Sequence, residues 1–177
     1  MSSERVMIFI DGANFYRALK NEYGKADIDF EKFQTLLVEG RKHIRTYYYN
    51  ATVDQSQDKK RYAAQQRFFQ RLEKIPYFQI HRGYLSYRGG VLVEKGVDVK
   101  LAVDMIRFAY LDNYDTAILV SGDGDFSPAV ELIQDSGKHV ENATFTSSRS
   151  HQLRQKSDRF ISLDKPILDP LFPATKK

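Results

Sequence analysis

The chain has no cysteine among its 177 residues. That excludes disulfides, zinc-thiolate sites and thiol nucleophiles, and it leaves oxygen and imidazole as metal ligands. No apolar run approaches the roughly 20 residues needed to span a bilayer. Met1-Ser2-Ser3-Glu4-Arg5 leads straight into a strand-like segment, so an unexported, cytoplasmic protein with no membrane partner is expected. Internal repeats and low-complexity stretches are absent. So are the Gly-x-x-x-x-Gly-Lys phosphate loop and the Gly-x-Ser-x-Gly nucleophile elbow. Neither sign of charge dominates: 27 Lys and Arg stand against 23 Asp and Glu, a net charge of +4. If four of the acids gather around one cation, the remaining surface is more basic than the total suggests and favours a phosphate-bearing partner.

What is present is a globular balance, 42% hydrophobic and 28% charged, at a length that fills one hydrophobic core. Val6 to Ile10 and Thr116 to Val120 are short continuous apolar runs, the pattern of strands buried on both faces of a parallel sheet. Further strands are expected over His43 to Val53, in Tyr77 to Val93 around a hairpin turn at Arg88-Gly89-Gly90, over Lys138 to Ala143 and over Phe160 to Leu163. Helices are expected from Asn14 as cap to Tyr23, from Asp29 as cap to Gly40, from about Ser56 to Ile75 before Pro76, over Val97 to Leu111, from Ser127-Pro128 to Gly137, and over Ser147 to Lys156. This alternation predicts a three-layer α/β/α sandwich around a mainly parallel central sheet with right-handed crossovers. The segment from Lys165, with Pro166, Pro170 and Pro173, is expected to wrap the surface or fray.

The chemistry is carried by acids that follow the apolar runs: Asp11 after the first, Asp123 and Asp125 after the later one. The carboxyl ends of strands in open α/β sheets form the ligand crevice, so acids from separate strands can converge there. Two carboxylates about 4 Å apart repel by about 4 kcal/mol at an effective dielectric of 20, a cost that a divalent cation reverses. Asp98, next to Gly96 in Lys95-Gly96-Val97-Asp98-Val99, is the fourth candidate ligand. Magnesium or manganese suits such oxygen donors, with a metal-activated water as nucleophile and Asn14 placing a water or a phosphate. Singly, each acid reads equally well as a cap, a turn residue or a first-turn helix acid. A calcium loop starting at Asp123 fails, because Pro128 takes the turn-glycine position and Gln134 the bidentate-glutamate position. A sugar-nucleotide transferase site would leave little chain for an acceptor domain. Asp104, flanked by Lys100 and Arg107, is expected to be a surface ion pair. His43, His81, His139 and His151 share no spacing and read as core or surface residues.

Three segments together, Phe9-Ile10-Asp11-Gly12-Ala13-Asn14-Phe15, Lys95-Gly96-Val97-Asp98-Val99 and Ser121-Gly122-Asp123-Gly124-Asp125-Phe126, resemble the LabA-like branch of the NYN domain, a relative of the PIN nucleases. The resemblance assigns residues 1–164 to the domain and leaves 165–177 as a proline-containing tail. It implies a PIN-like, Rossmann-like sandwich and a metal-dependent ribonuclease. By motif it places the metal-binding and catalytic acids at Asp11, Asp98, Asp123 and Asp125, with Asn14 and Ser121 as polar support. Lys60, Arg67, Arg71 and Lys74 recur at helical spacing, and Arg149 and Arg154 are basic near the end. With Tyr47, Tyr49 or Tyr87 for stacking, they are the candidate contacts to single-stranded RNA. The alternatives are a non-catalytic RNA-binding or regulatory module, and a small metal-dependent phosphatase or nucleotide hydrolase. The tyrosines and the hairpin near Gly89 can equally serve a self-contact between copies of the chain.

Overall fold

A computed structural model describes residues 3–88 and 91–173, and the side chains of 84–95 lie outside the description. Seven strands form one sheet: β1 (Arg5–Asp11), β2 (Lys42–Ala51), β3 (Phe78–Arg88), β4 (Val91–Lys95), β5 (Thr116–Val120), β6 (His139–Thr144) and β7 (Arg159–Ser162). Their order across the sheet is β4-β3-β2-β1-β5-β6-β7. All neighbours pair in parallel except β3 and β4, which are antiparallel. The antiparallel pair puts Arg88 opposite Val91, while Gly89 and Gly90 of the expected turn lie outside the described residues. Among the described residues, no helix is long and apolar enough to cross a membrane.

Side-chain alternation along the strands builds two cores. Val6, Ile8 and Ile10 of β1, Tyr48 of β2 and Ile118 and Val120 of β5 face one layer. That layer holds α1 (Gly12–Tyr23), α2 (Phe30–Val38), α3 (Lys59–Leu72) and the short α7 (Lys165–Leu168). Met7, Phe9, Tyr47, Tyr49, Ala117 and Leu119 face the other, made of α4 (Val97–Tyr110), α5 (Ser127–Asp135) and α6 (His151–Lys156). The fold class read from the sequence is the observed one.

The helix starts differ from expectation by hydrogen bonding. Asp11, not Asn14, caps α1: its Oδ1 accepts the Asn14 amide at 3.1 Å. α3 begins at Lys59 because Asp58 Oδ1 accepts the Arg61 amide at 2.9 Å, while Asp54 closes a turn on Ser56 upstream. The expected helix over 147–156 is a single 3-10 turn, Thr146–Ser148, followed by α6, which Ser150 caps. A side chain at the cap satisfies amides that no helical carbonyl can reach, which sets where each helix can begin.

Asp104 corrects a second expectation. It does pair with Lys100 (2.6 Å), but it is buried rather than on the surface. Tyr49 donates its hydroxyl to Oδ2 at 2.9 Å, and His81 Nε2 stands 3.7 Å away. These partners come from β2 and β3, and helical spacing is blind to them.

The segment after Lys165 wraps onto the first layer. Leu168 is fully buried and Leu171 nearly so, and the Leu171 carbonyl accepts the Asp29 amide at 2.8 Å. Leu168→Ala is therefore expected to lower stability by about 2–4 kcal/mol in urea unfolding. A loss below about 0.5 kcal/mol would mean that the segment carries no share of the core.

Candidate functional site

After β1 the chain turns to β2 on one side. After β4 it crosses through α4 to β5 on the other, so β1 and β5 flank the point where the strand order switches. A crevice opens at the carboxyl ends of such a pair. The register matches Ile10 with Val120, which sets the next residues, Asp11 and Ser121, side by side. Ser121 Oγ donates to Asp11 Oδ2 at 3.0 Å, and both residues are buried.

Hydrogen bonds then fix the acid-bearing loop to α1. Asn14 Oδ1 accepts the Gly122 amide at 3.0 Å, Ser121 Oγ accepts the Asp123 amide at 3.1 Å, and Asp123 Oδ1 accepts the Asp125 amide at 3.0 Å. Gly122 is required by close approach, since a Cβ there would lie 2.1 Å from the Ser148 carbonyl oxygen, and a Cβ on Gly124 would crowd Ser150 Oγ at 2.7 Å. The loop between β6 and α6 therefore packs directly on the segment bearing Asp123. Asp98 enters from the opposite helical layer, in the first turn of α4, which Gly96 starts from a left-handed conformation.

Electrostatics ties the acids together. Burial raises the Asp11 carboxyl to about 6, against the hydrogen bonds from Asn14 and Ser121 that favour its charged form, and Asp98 and Asp123 add to the rise. Asp98 is also raised, first by burial and then by Asp123, with Arg17 opposing and Asp125 adding a smaller push. Asp98 and Asp123 thus act on Asp11, and Asp123 and Asp125 on Asp98. Among the described residues, no three acidic or histidine side chains already close into a metal cage. An open set of hard carboxylate oxygens fits magnesium, which keeps several waters and takes only one or two carboxylates directly.

The basic residues divide. α3 runs back from the carboxyl edge of the sheet, so Lys60 in its first turn is near that edge. Arg67, Arg71 and Lys74 lie toward the far end of a helix about 21 Å long. There they line a shallow concavity of about 480 Å³ with Ala64 and Gln70, and Arg71 bonds Asp27 at 3.3 Å. The structure does not bring those three to the acids. Arg149 sits between Ser148 and Ser150, the residues that abut Gly122 and Gly124, and is exposed. Arg154 lies on α6 with its guanidinium 5.0 Å from the centre of the Phe160 ring.

Tyr47 and Tyr49 are not stacking platforms. β2 is an interior strand, and both rings are buried against α4. The Tyr87 side chain lies outside the described residues. His43 bonds Thr46 at 3.0 Å, His81 faces Asp104, and His139 and His151 are exposed. Arg17 was missed by motif reading. Its signal is the spacing of three residues from Asn14, which places the two on neighbouring positions of one helix face.

Comparison with known proteins adds a family and a fold. Residues 5–164 match the NYN domain. The chain is 34% identical over 68 residues to the low amplitude and bright protein LabA of Synechococcus elongatus, covering 38% of this chain and 36% of LabA. The alignment therefore spans about a third of that relative. A crystal structure of a protein of unknown function from Vibrio parahaemolyticus superposes with a TM-score of 0.76 at 26% identity, over 94% of this chain and 97% of the other.

The raised Asp11 carboxyl has a consequence for stability. Its ordinary value is 3.8 and the fold holds it at about 6, so the folded chain binds that proton more tightly than the unfolded one. Its contribution is complete below about pH 4 and is lost as pH rises through about 6. In EDTA this group makes stability in urea unfolding fall across that window, beside the opposite contributions of His43 and His81, whose lowered values favour folding as pH rises. Asp11→Asn is expected to remove about 1–3 kcal/mol of that fall. An identical pH slope in the variant would contradict the assignment.

Proposed function

This chain belongs to the NYN domain family, which is part of the PIN-like nuclease superfamily, and from that premise we propose that it is a divalent-metal-dependent ribonuclease. The supporting observation is Asp11 at the switch point of the sheet, its affinity for a proton raised first by burial and then, by a smaller amount, by Asp98 and Asp123. Carboxylates assembled against their own repulsion are poised to exchange protons for a cation. Asp11, Asp98, Asp123 and Asp125 would hold magnesium or manganese. Such an ion supplies charge neutralisation at the phosphoryl oxygens and acidifies a coordinated water.

The rest falls to the chain's own residues. Ser121 and the Asn14 amide hold the Asp11 carboxylate in one orientation, so little reorganisation is needed when charge develops. Asn14 ties the Asp123 loop to α1 and keeps acids from separate elements in fixed relation. Arg149, exposed on the loop packed against Gly122 and Gly124, would meet a phosphate of the bound strand. Hydrolysis adds one water across a phosphodiester P–O bond, and the departing oxygen takes up a proton. Single-stranded RNA is the proposed substrate, since a strand free of pairing can bend its phosphate into an open crevice.

The test is incubation of the purified protein with end-labelled single-stranded RNA and manganese. Wild type is expected to cleave, EDTA to abolish cleavage, and Asp123→Asn to lose at least about a hundredfold of the rate. Full activity in EDTA, or equal cleavage by the variant, overturns the proposal. Salt-sensitive binding with no cleavage assigns the chain to the non-catalytic class instead. Preference for mononucleotides points to a phosphatase.

A further inference from the structure

The acids of the site offer no aromatic face to a base. Single-stranded nucleic acid is held without sequence preference by cations along its backbone and by aromatic rings under its bases. The tyrosines of β2 are sealed in the core. Three other tyrosines are strongly exposed among the described residues: Tyr16 (49%), Tyr77 (64%) and Tyr110 (64%). Topology separates them. Tyr77 immediately precedes β3, at the amino edge of the sheet. Tyr110 ends α4, twelve residues and about 18 Å of helix beyond Asp98. Tyr16 alone of the three stands near the carboxyl edge, in the second turn of α1, about 7.5 Å of helix rise from the end of β1.

Its neighbours on α1 suit a nucleotide. Phe15, Ala18 and Leu19 are buried against the sheet, while Tyr16, Arg17 and Lys20 share the exposed side of the helix. Lys20 Nζ lies 5.8 Å from the centre of the Tyr16 ring, within cation–π distance. α1 starts directly from Asp11, whose carboxylate caps it, so this basic side of the helix continues from the acids. Asn14, one turn below Arg17, is already bonded to the Gly122 amide. An aromatic face flanked by two cations thus continues from the acid crevice along one helix.

We infer that Tyr16, Arg17 and Lys20 form a subsite for one nucleotide of single-stranded RNA, its base stacked on the Tyr16 ring and its phosphate held by the two cations. This rests on the ribonuclease reading for its substrate, while its binding geometry is independent of turnover. The subsite recognises a π-face and a phosphate, so it tolerates any base and requires the strand to be unpaired.

Binding of a fluorescein-labelled oligoadenylate of about ten nucleotides, followed by anisotropy in EDTA with Asp123→Asn as the parent, reads the subsite apart from cleavage. Tyr16→Leu is expected to raise Kd about tenfold, and Tyr16→Phe, which keeps the ring, to restore it to within about twofold. Arg17→Gln and Lys20→Gln combined, which remove both cations from one phosphate, are expected to lower the slope of log K against log salt by about 0.7. Unchanged Kd in Tyr16→Leu, or equal weakening by Leu and Phe, overturns the subsite. Ring-dependent binding beside a wild-type protein that cleaves nothing in manganese upholds the subsite and overturns the nuclease reading. Normal cleavage with binding indifferent to Tyr16 does the reverse.

Discussion

Burial of the Asp11 carboxylate at the junction of β1 and α1 is the constraint on which the carboxyl edge of this molecule depends. A charged group at 4% exposure must be hydrogen-bonded or protonated. Here Ser121 and the Asn14 amide supply the bonds, yet the proton affinity still rises. Burial costs the charged form more than these hydrogen bonds return, and Asp98 and Asp123 add a smaller repulsion. A divalent cation satisfies both demands at once, and the stability given up without it is the physical link between the fold and a metal-dependent function.

The surrounding architecture keeps the acids from escaping that repulsion. Gly12 has no room for a side chain, since a Cβ there would meet the Tyr48 ring at 2.5 Å, and so the start of α1 is pressed onto β2. α4, which carries Asp98, is pinned to β2 and β3 through the buried Asp104 and its contacts with Tyr49 and His81. The Asp123 loop is clamped from one side by Asn14 and from the other by Ser148 and Ser150. Asp11, Asp98 and Asp123 are therefore held by different elements. Local relaxation of one does not disperse the cluster.

Much of this is legible in the sequence, and the exceptions share a physical reason. Val6 to Ile10 and Thr116 to Val120 announce interior parallel strands because both faces need apolar residues, and the acids that end them fall at the crevice by topology. Helical spacing also reveals the α3 stripe, but it cannot say which end of the sheet a residue reaches, and Arg67, Arg71 and Lys74 fall away from the acids. Tyr47 and Tyr49 carry hydroxyls that suggest a surface role, whereas their strand lies inside the sheet. Asp104 looks exposed from its helical neighbours and is buried by partners 55 and 23 residues away, Tyr49 and His81. The prolines after Lys165 leave open whether the segment wraps or frays, and Leu168 and Leu171 dock it. What local patterns miss is set by contacts between distant segments.

The central claim is that Asp11, Asp98 and Asp123 serve one cation. Anomalous diffraction from crystals soaked in manganese tests it most directly. The account predicts a peak in the crevice between β1 and the first turn of α4, about 2.1–2.2 Å from an Asp11 or Asp123 carboxylate oxygen or one water removed from it. Manganese bound elsewhere, with this crevice empty and the acids turned away from one another, would contradict it.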